Sequence, residues 1–291
     1  MPDIISDVLK DTCIDTLKLI PFLFVTYLAM EYLERKAGDR PAEFVAKLGP
    51  LSPAAGALVG AVPQCGFSAV AASLFSGGVI SAGTMIAVFL STSDEMLPMF
   101  ISEHLPVSKM LSIIGIKALI GAVSGIALDL ALRVIHRHFS DRHIHDLCEK
   151  EHCGCEEEEE GGIFHAAFIH TLHITLFIFI ISLVLGLLIQ FMGADTLRRF
   201  TGDNPVIGVV ICAIIGLIPN CAASVMITQV YLDGFLNPGQ MMAGLLVSAG
   251  VGLLVLFRTN RHDKENVIIT LILLGFGIFW GLLIESTGLL T

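Results

Sequence analysis

The stretch Gly60-Ala61-Val62-Pro63-Gln64-Cys65-Gly66-Phe67-Ser68 recurs 156 residues later as Gly216-Leu217-Ile218-Pro219-Asn220-Cys221-Ala222-Ala223-Ser224. Without a gap, the same offset pairs Gly78 with Gly234, Gly83 with Gly239, Met85 with Met241, Ala87 with Ala243 and Leu90 with Leu246. It runs on through Gly121 and Gly277, Gly125 and Gly281, and Asp129 and Glu285. Shared Gly and Leu are commonplace in apolar sequence. A shared Gly-x-x-Pro-x-Cys-x-x-Ser is not, so the chain reads as two copies of one unit.

Each copy is strongly apolar. Of the 291 residues, 54% are hydrophobic and 15% charged, with a mean hydropathy of +0.80. Soluble domains lie nearer roughly 45–50% and about 25%. The excess excludes an ordinary soluble enzyme, a disordered chain and a nucleic-acid binder. Stretches that approach or exceed the about 20 residues needed to cross hydrocarbon fall near 14–33, 53–75, 79–100, 110–135, 163–192, 206–231, 241–257 and 266–290. The first is expected to be retained, because no short apolar segment with a small-residue cleavage site precedes it. Much of the net charge of -10 sits in the single run Glu156-Glu157-Glu158-Glu159-Glu160. The 7 cysteines lie partly inside apolar segments, unlike a secreted disulfide framework. The expected organisation is a first transmembrane repeat over 1–135, a His/Cys/Glu-rich linker over 136–162, and a second repeat over 163–291.

Proline inside a helix removes a backbone hydrogen bond and clashes with the preceding turn. Pro63 and Pro219 therefore break their segments, and non-helical backbone at membrane depth survives only where protein or water covers it. Two topologies follow. If every segment crosses, each half has four crossings and the halves are parallel. If the Pro-x-Cys segments are re-entrant hairpins, each half has three crossings and the halves are inverted. In the inverted case Arg35, Lys36, Arg40, Lys47, Arg133, Arg137, Arg142, Lys150, Arg258, Arg261 and Lys264 share one side. Lys10, Lys109, Arg198 and Arg199 lie on the other. The positive-inside rule favours this arrangement, with a cytoplasmic linker and both termini outside. The fold class is then an all-α polytopic membrane protein of two inverted-topology repeats.

Matched breaks in two halves point to a transporter's substrate site. Pro63, Gln64, Cys65 and Ser68 would face Pro219, Asn220, Cys221 and Ser224 there. The thiols are soft ligands and the amides offer oxygen and N–H, while half-helix N-termini suit anions and C-termini suit cations. The bland alternative is a small buried cysteine beside a structural proline. Ser91-Thr92-Ser93-Asp94-Glu95 is the second polar element, and its counterpart Val247-Ser248-Ala249-Gly250-Val251 carries no acid. Acids inside a span are a functional hypothesis by default. Asp94 and Glu95 would bind or couple a cation, or else pair with Lys117, itself within a span. Asp129 and Glu285 read as cap or interface charges.

His143, His145, Cys148, His152, Cys153 and Cys155 in the linker suit a divalent ion such as Zn²⁺, but match no closed zinc site. A solvated linker that loosely collects metal accommodates both readings. His165, His170 and His173 open the fifth span and would serve as a relay or simply sit at the interface. No Walker A, His-Glu-x-x-His or Gly-x-Ser-x-Gly motif is present, and arginine is absent from the breaks.

The first motif, with Gly77-Gly78-Val79-Ile80-Ser81 and Val88-Phe89-Leu90-Ser91-Thr92-Ser93-Asp94-Glu95-Met96-Leu97, resembles the ten-helix heavy-metal exporter family. Its members are labelled arsenic efflux proteins or manganese transporters. Gly216-Leu217-Ile218-Pro219-Asn220-Cys221 fits as well, and the Pro-x-Cys element is also similar to permeases linked to organoarsenical efflux. Ten helices follow if each broken segment is counted as two. The resemblance implies a secondary active transporter, not an enzyme, in the inner membrane, exporting a metal or metalloid by alternating access at the repeat interface. Trivalent arsenic asks for thiols; Mn²⁺ or a similar divalent metal asks for carboxylates, amides and carbonyls, which tips the reading to the metal. No resident cofactor is required beyond a bound divalent metal, the partners are the lipid bilayer and the carried ion, and a homodimer is left open. An organic-anion transporter, a passive channel and a lipid pyrophosphate phosphatase-like enzyme are the alternatives.

Overall fold

The computed structural model describes residues 8–10, 12–14, 16–17, 20–21, 24–25, 28, 51–62, 65–92, 96–135, 168, 171–172, 175–177, 179–180, 183–184, 187, 205–260 and 262–290, with Cys65, Pro98, Ser102 and Cys221 described by backbone alone. Among the described residues every regular element is a helix. The first copy supplies α1 (Ser52–Gly60), α2 (Cys65–Ser76), α3 (Ala82–Ser91), α4 (Met96–Ser102) and α5 (Val107–Val134). The second supplies α6 (Pro205–Gly216), α7 (Cys221–Leu232), α8 (Pro238–Val247), α9 (Gly252–Thr259) and α10 (Asp263–Thr287). The 156-residue offset carries both ends of α2 onto α7 and both ends of α3 onto α8, and the starts of α4 and α5 onto those of α9 and α10. The repeat is thus a repeat of structure.

Local chemistry sets these boundaries twice. Gly78 and Gly234 take φ of 73° and 79°, a left-handed turn that favours glycine, just past α2 and α7. At the start of α3 the Ser81 hydroxyl accepts from the Thr84 N–H at 3.1 Å. Asp129 of α5 reinforces that cap, accepting from Ser81 Oγ at 2.6 Å and from the Gly83 N–H at 2.9 Å. In the second copy Asn237 takes the Ser81 position, and its Nδ2 donates to Glu285 at 2.8 Å. Asp129 and Glu285 are cap-supporting charges, as the sequence suggests.

Close backbone approach explains the paired glycines. A Cβ on Gly125 would sit 2.8 Å from Ala87 Cβ and one on Gly281 2.5 Å from Ala243 Cβ, the same contact in each copy. These spacings run α5 antiparallel to α3 and α10 antiparallel to α8. Along α1, in contrast, Ser52 bonds Thr84 at 2.6 Å, Gly56 abuts Thr84 and Val88, and Gly60 abuts Val88 and Ser91. α1 therefore advances in the same sense as α3. Gly208 against Gln240 and Gly216 against Gly244 place α6 along α8 in the same way.

The copies pack reciprocally, with α2 on α9 and α4 on α7. Phe100 meets Tyr231 with ring centroids 6.4 Å apart. The Trp280 indole N–H donates to Ser124 Oγ at 2.9 Å, and these two positions are counterparts, 156 residues apart. A contact between a residue and its own counterpart lies on the axis relating two copies.

Val107–Val134 and Asp263–Thr287 as single helices, and Pro238–Thr259 as α8 and α9 taken together, are long and apolar enough to cross a membrane. The first and last expose Leu111, Leu119, Leu130, Leu271 and Phe279 at more than half their surface, while the middle one is almost wholly buried. Large apolar side chains left on the outside, with glycines where helices cross, is the pattern for a chain bathed in lipid. One expectation needs revision. The apolar stretches 79–100 and 241–257 are not single helices: each breaks, after Ser91 and after Val247. Gly250, at φ 52°, takes part in the second break.

Gly60→Val is expected to lower the unfolding midpoint of purified protein by the equivalent of about 1–3 kcal/mol, the usual cost of overpacking. Gly115→Val, where a Cβ meets nothing within 4 Å, is the control and is expected to leave it nearly unchanged.

Candidate functional site

The helix ends that stop inside the bundle are its chemically active parts, because each leaves backbone groups without helical partners. α1 and α6 end, and α2 and α7 begin, at the Pro-x-Cys elements. In the second copy Pro219 and Asn220 lie in the bend between α6 and α7, with Pro219 half-buried and Asn220 8% exposed. Asn220 is the N-cap of α7, its Oδ1 accepting from the Ala222 N–H at 2.8 Å. One lone pair of the amide oxygen therefore serves the fold. Pro63 and Gln64, and the side chains of Cys65 and Cys221, lie outside the described residues.

Ser68 and Ser224 are buried on α2 and α7, a turn in from the breaks. Ser68 backs onto Gly252 at the start of α9, where an added Cβ would come within 2.8 Å of Ser68 Cβ. This serine thus stands where one copy meets the other.

At the second break Ser91 and Thr92 are both buried and turn their hydroxyls back on α3. Ser91 Oγ donates to the Ala87 and Val88 carbonyls at 2.8 and 3.0 Å, and Thr92 Oγ1 to Val88 O at 2.7 Å. Thr92, with ψ at 129°, swings the chain out of the helix. Ser93, Asp94 and Glu95 fall outside the described residues, as do the linker positions His143, His145, Cys148, His152, Cys153 and Cys155, and His165, His170 and His173. Among the described residues no group of three or more His, Cys, Asp or Glu could hold a metal ion.

Lys117 joins the two copies at this point. α5 runs antiparallel to α3, with Gly125 opposite Gly83 and Gly121 opposite Ala87 and Ser91. One turn further along α5, Lys117 reaches the end of α3. It is 1% exposed, and its Nζ donates to the Thr92 carbonyl and, at 2.9 Å, to the Leu245 carbonyl of α8. The Leu245 carbonyl is available because the Ala249 N–H, its helical partner by register, bonds Val247 O at 2.8 Å instead. Both acceptors are C-terminal ends of broken helices, where the helix dipole is negative. The counterpart of Lys117 is Leu273, fully buried and apolar. Sequence reading marks Lys117 as a charge within a span and offers Asp94 and Glu95, which lie outside the described residues, as its partners; it cannot find these two carbonyls, which carry no side-chain signature. The departure from helix at Gly250 was the available clue.

Asn220→Ala is expected to cost about 1 kcal/mol of stability through loss of the cap, while Asn220→Ser keeps a capping oxygen without adding a charge and is expected to cost less. Thermal unfolding of the two variants side by side measures this.

Comparison with curated proteins and with solved structures finds no match in either. The family described as "Putative, 10TM heavy-metal exporter" matches residues 2–196, about two thirds of the chain. That span takes in the first Pro-x-Cys element, the Ser91–Glu95 segment and Lys117. On this match, and with apolar crossing helices on a buried, twice-broken core, the chain is a multi-pass membrane protein that belongs to the 10TM heavy-metal exporter family.

Proposed function

We propose that the protein is a secondary active transporter that exports a metal or metalloid across the inner membrane by alternating access between its two repeats. The observation that carries this is the buried Lys117 ammonium at the meeting point of two broken helices from different copies. An ionisable group there costs about 2.5–3.5 kcal/mol or more to insert, and chains retain such groups where they bind or couple ions.

The topology that fits best is the inverted one. α1 advances with α3, and α2 is joined to α3 by the short turn 77–81. Ser68 of α2 and Phe89 of α3 both lie against Gly252, which supports an α2 running opposite to α3. α1 and α2 then form a hairpin that enters and leaves on one side. Each copy crosses an odd number of times, the second copy is upside down, and the linker 136–162 lies on the cytoplasmic, Arg- and Lys-rich side. The hairpin tips carrying Gln64, Cys65, Asn220 and Cys221 reach the middle from opposite faces.

The substrate assigned to this site is a divalent metal, Mn²⁺ or similar, held by the Gln64 and Asn220 amides and the Asp94 and Glu95 carboxylates. Ser68, Ser91, Thr92, Ser93 and Ser224 line the approach, beside Pro63 and Pro219. Arsenite or an organoarsenical, held by Cys65 and Cys221, is the competing cargo. A small anion is favoured only by the Lys117 charge together with the N-termini of α2 and α7.

Flux in sealed vesicles of Mn²⁺, Zn²⁺, arsenite and methylarsenite separates these. Asp94→Asn is expected to cut Mn²⁺ flux by at least about tenfold, the scale of losing a metal ligand, while Cys65→Ser with Cys221→Ser leaves it intact. The reverse pattern assigns the site to arsenic chemistry. Full transport of all four by both variants removes the site from these residues.

A further inference from the structure

We infer that Lys117 is a built-in cation: its ammonium fills a monovalent-cation site formed by the carbonyls of Thr92 and Leu245. Those two oxygens come from the C-terminal ends of α3 and α8, one from each copy. Freed carbonyls at the negative ends of half-helices are the donors with which membrane carriers hold Na⁺. The site is itself buried, with Lys117, Thr92 and Leu245 each nearly excluded from solvent. Left empty, these oxygens would be acceptors in a dry interior, at the cost of an unmade hydrogen bond each. A cation there satisfies both at once and ties the two copies together.

The asymmetry of the repeat supports the same assignment. Leu273 occupies the Lys117 position in the second copy and brings no donor. One tethered cation therefore serves both copies, at the interface itself. Tethering removes the translational cost of capturing an ion from solution. In the context of the proposed transporter, on which only this last step rests, the carrier needs no soluble Na⁺ or K⁺ to hold its halves in this state.

The test is thermal unfolding of the purified full-length protein in detergent, with N-methyl-D-glucamine, Na⁺, K⁺ or propylammonium chloride at equal ionic strength. The wild type is expected to unfold at one temperature in all four. Lys117→Met is expected to unfold at a lower temperature in the bulky cation. Saturating amounts of one of the small cations are expected to restore about 3 °C or more. If Lys117→Met cannot be isolated, Lys117→Ala purified in propylammonium is expected to remain monodisperse and to aggregate when that ion is exchanged for N-methyl-D-glucamine. A Lys117 variant that no small cation stabilises, or a wild type that responds as strongly as the variant, overturns the assignment. Because the readout is stability, it stands or falls separately from the vesicle fluxes.

Discussion

A helix can stop inside a membrane only where the backbone groups it exposes find partners, because lipid offers none. That constraint organises this protein. The helices are interrupted at Gly60, Ser91, Gly216 and Val247, and surrounding residues answer the interruptions in three places. Asn220 caps α7, Ser91 and Thr92 turn their hydroxyls onto α3, and Lys117 draws together the carbonyls that α3 and α8 leave open. The long helices α5 and α10 present leucine and phenylalanine to the lipid and so shield the broken elements from it.

Close packing lets so many short helices share one core. Gly83, Gly121 and Gly125, with Gly239, Gly277 and Gly281, admit backbone where any side chain would collide. Without a hydrophobic drive between helices in lipid, such small-residue contacts supply much of the association. Asp129 and Glu285 show how the same architecture tolerates different chemistry. One carboxylate caps through serine and a glycine N–H, the other through an asparagine amide, at equivalent places. The copies have kept a geometry here while exchanging the atoms that make it; at Lys117, as at Asp94 and Glu95, only one copy carries the charge.

Much of this is legible in the residues alone. Proline cannot sit silently in a helix, so Pro63 and Pro219 mark two breaks, and their common offset exposes the repeat. The breaks after Ser91 and Val247 are harder to read. The first is masked by the apolar run on both sides, the second by residues such as Ser248 and Ala249 that sit comfortably in a helix. Only Gly250, in a left-handed turn, hints at it. Least legible is the environment of Lys117. Among its partners are two main-chain oxygens, 25 and 128 positions away in the chain, visible only once the copies are packed together.

The opposed direction of the two copies is the claim on which the midplane site depends. Val79 and Phe235 are counterparts in the turns that follow α2 and α7. Val79→Cys and Phe235→Cys, each as the single cysteine of the full chain, can be reacted in intact cells with a membrane-impermeant maleimide and again after the membrane is opened. Labelling of one in intact cells, and of the other only after opening, is the expected result. Labelling of both from the same side contradicts it.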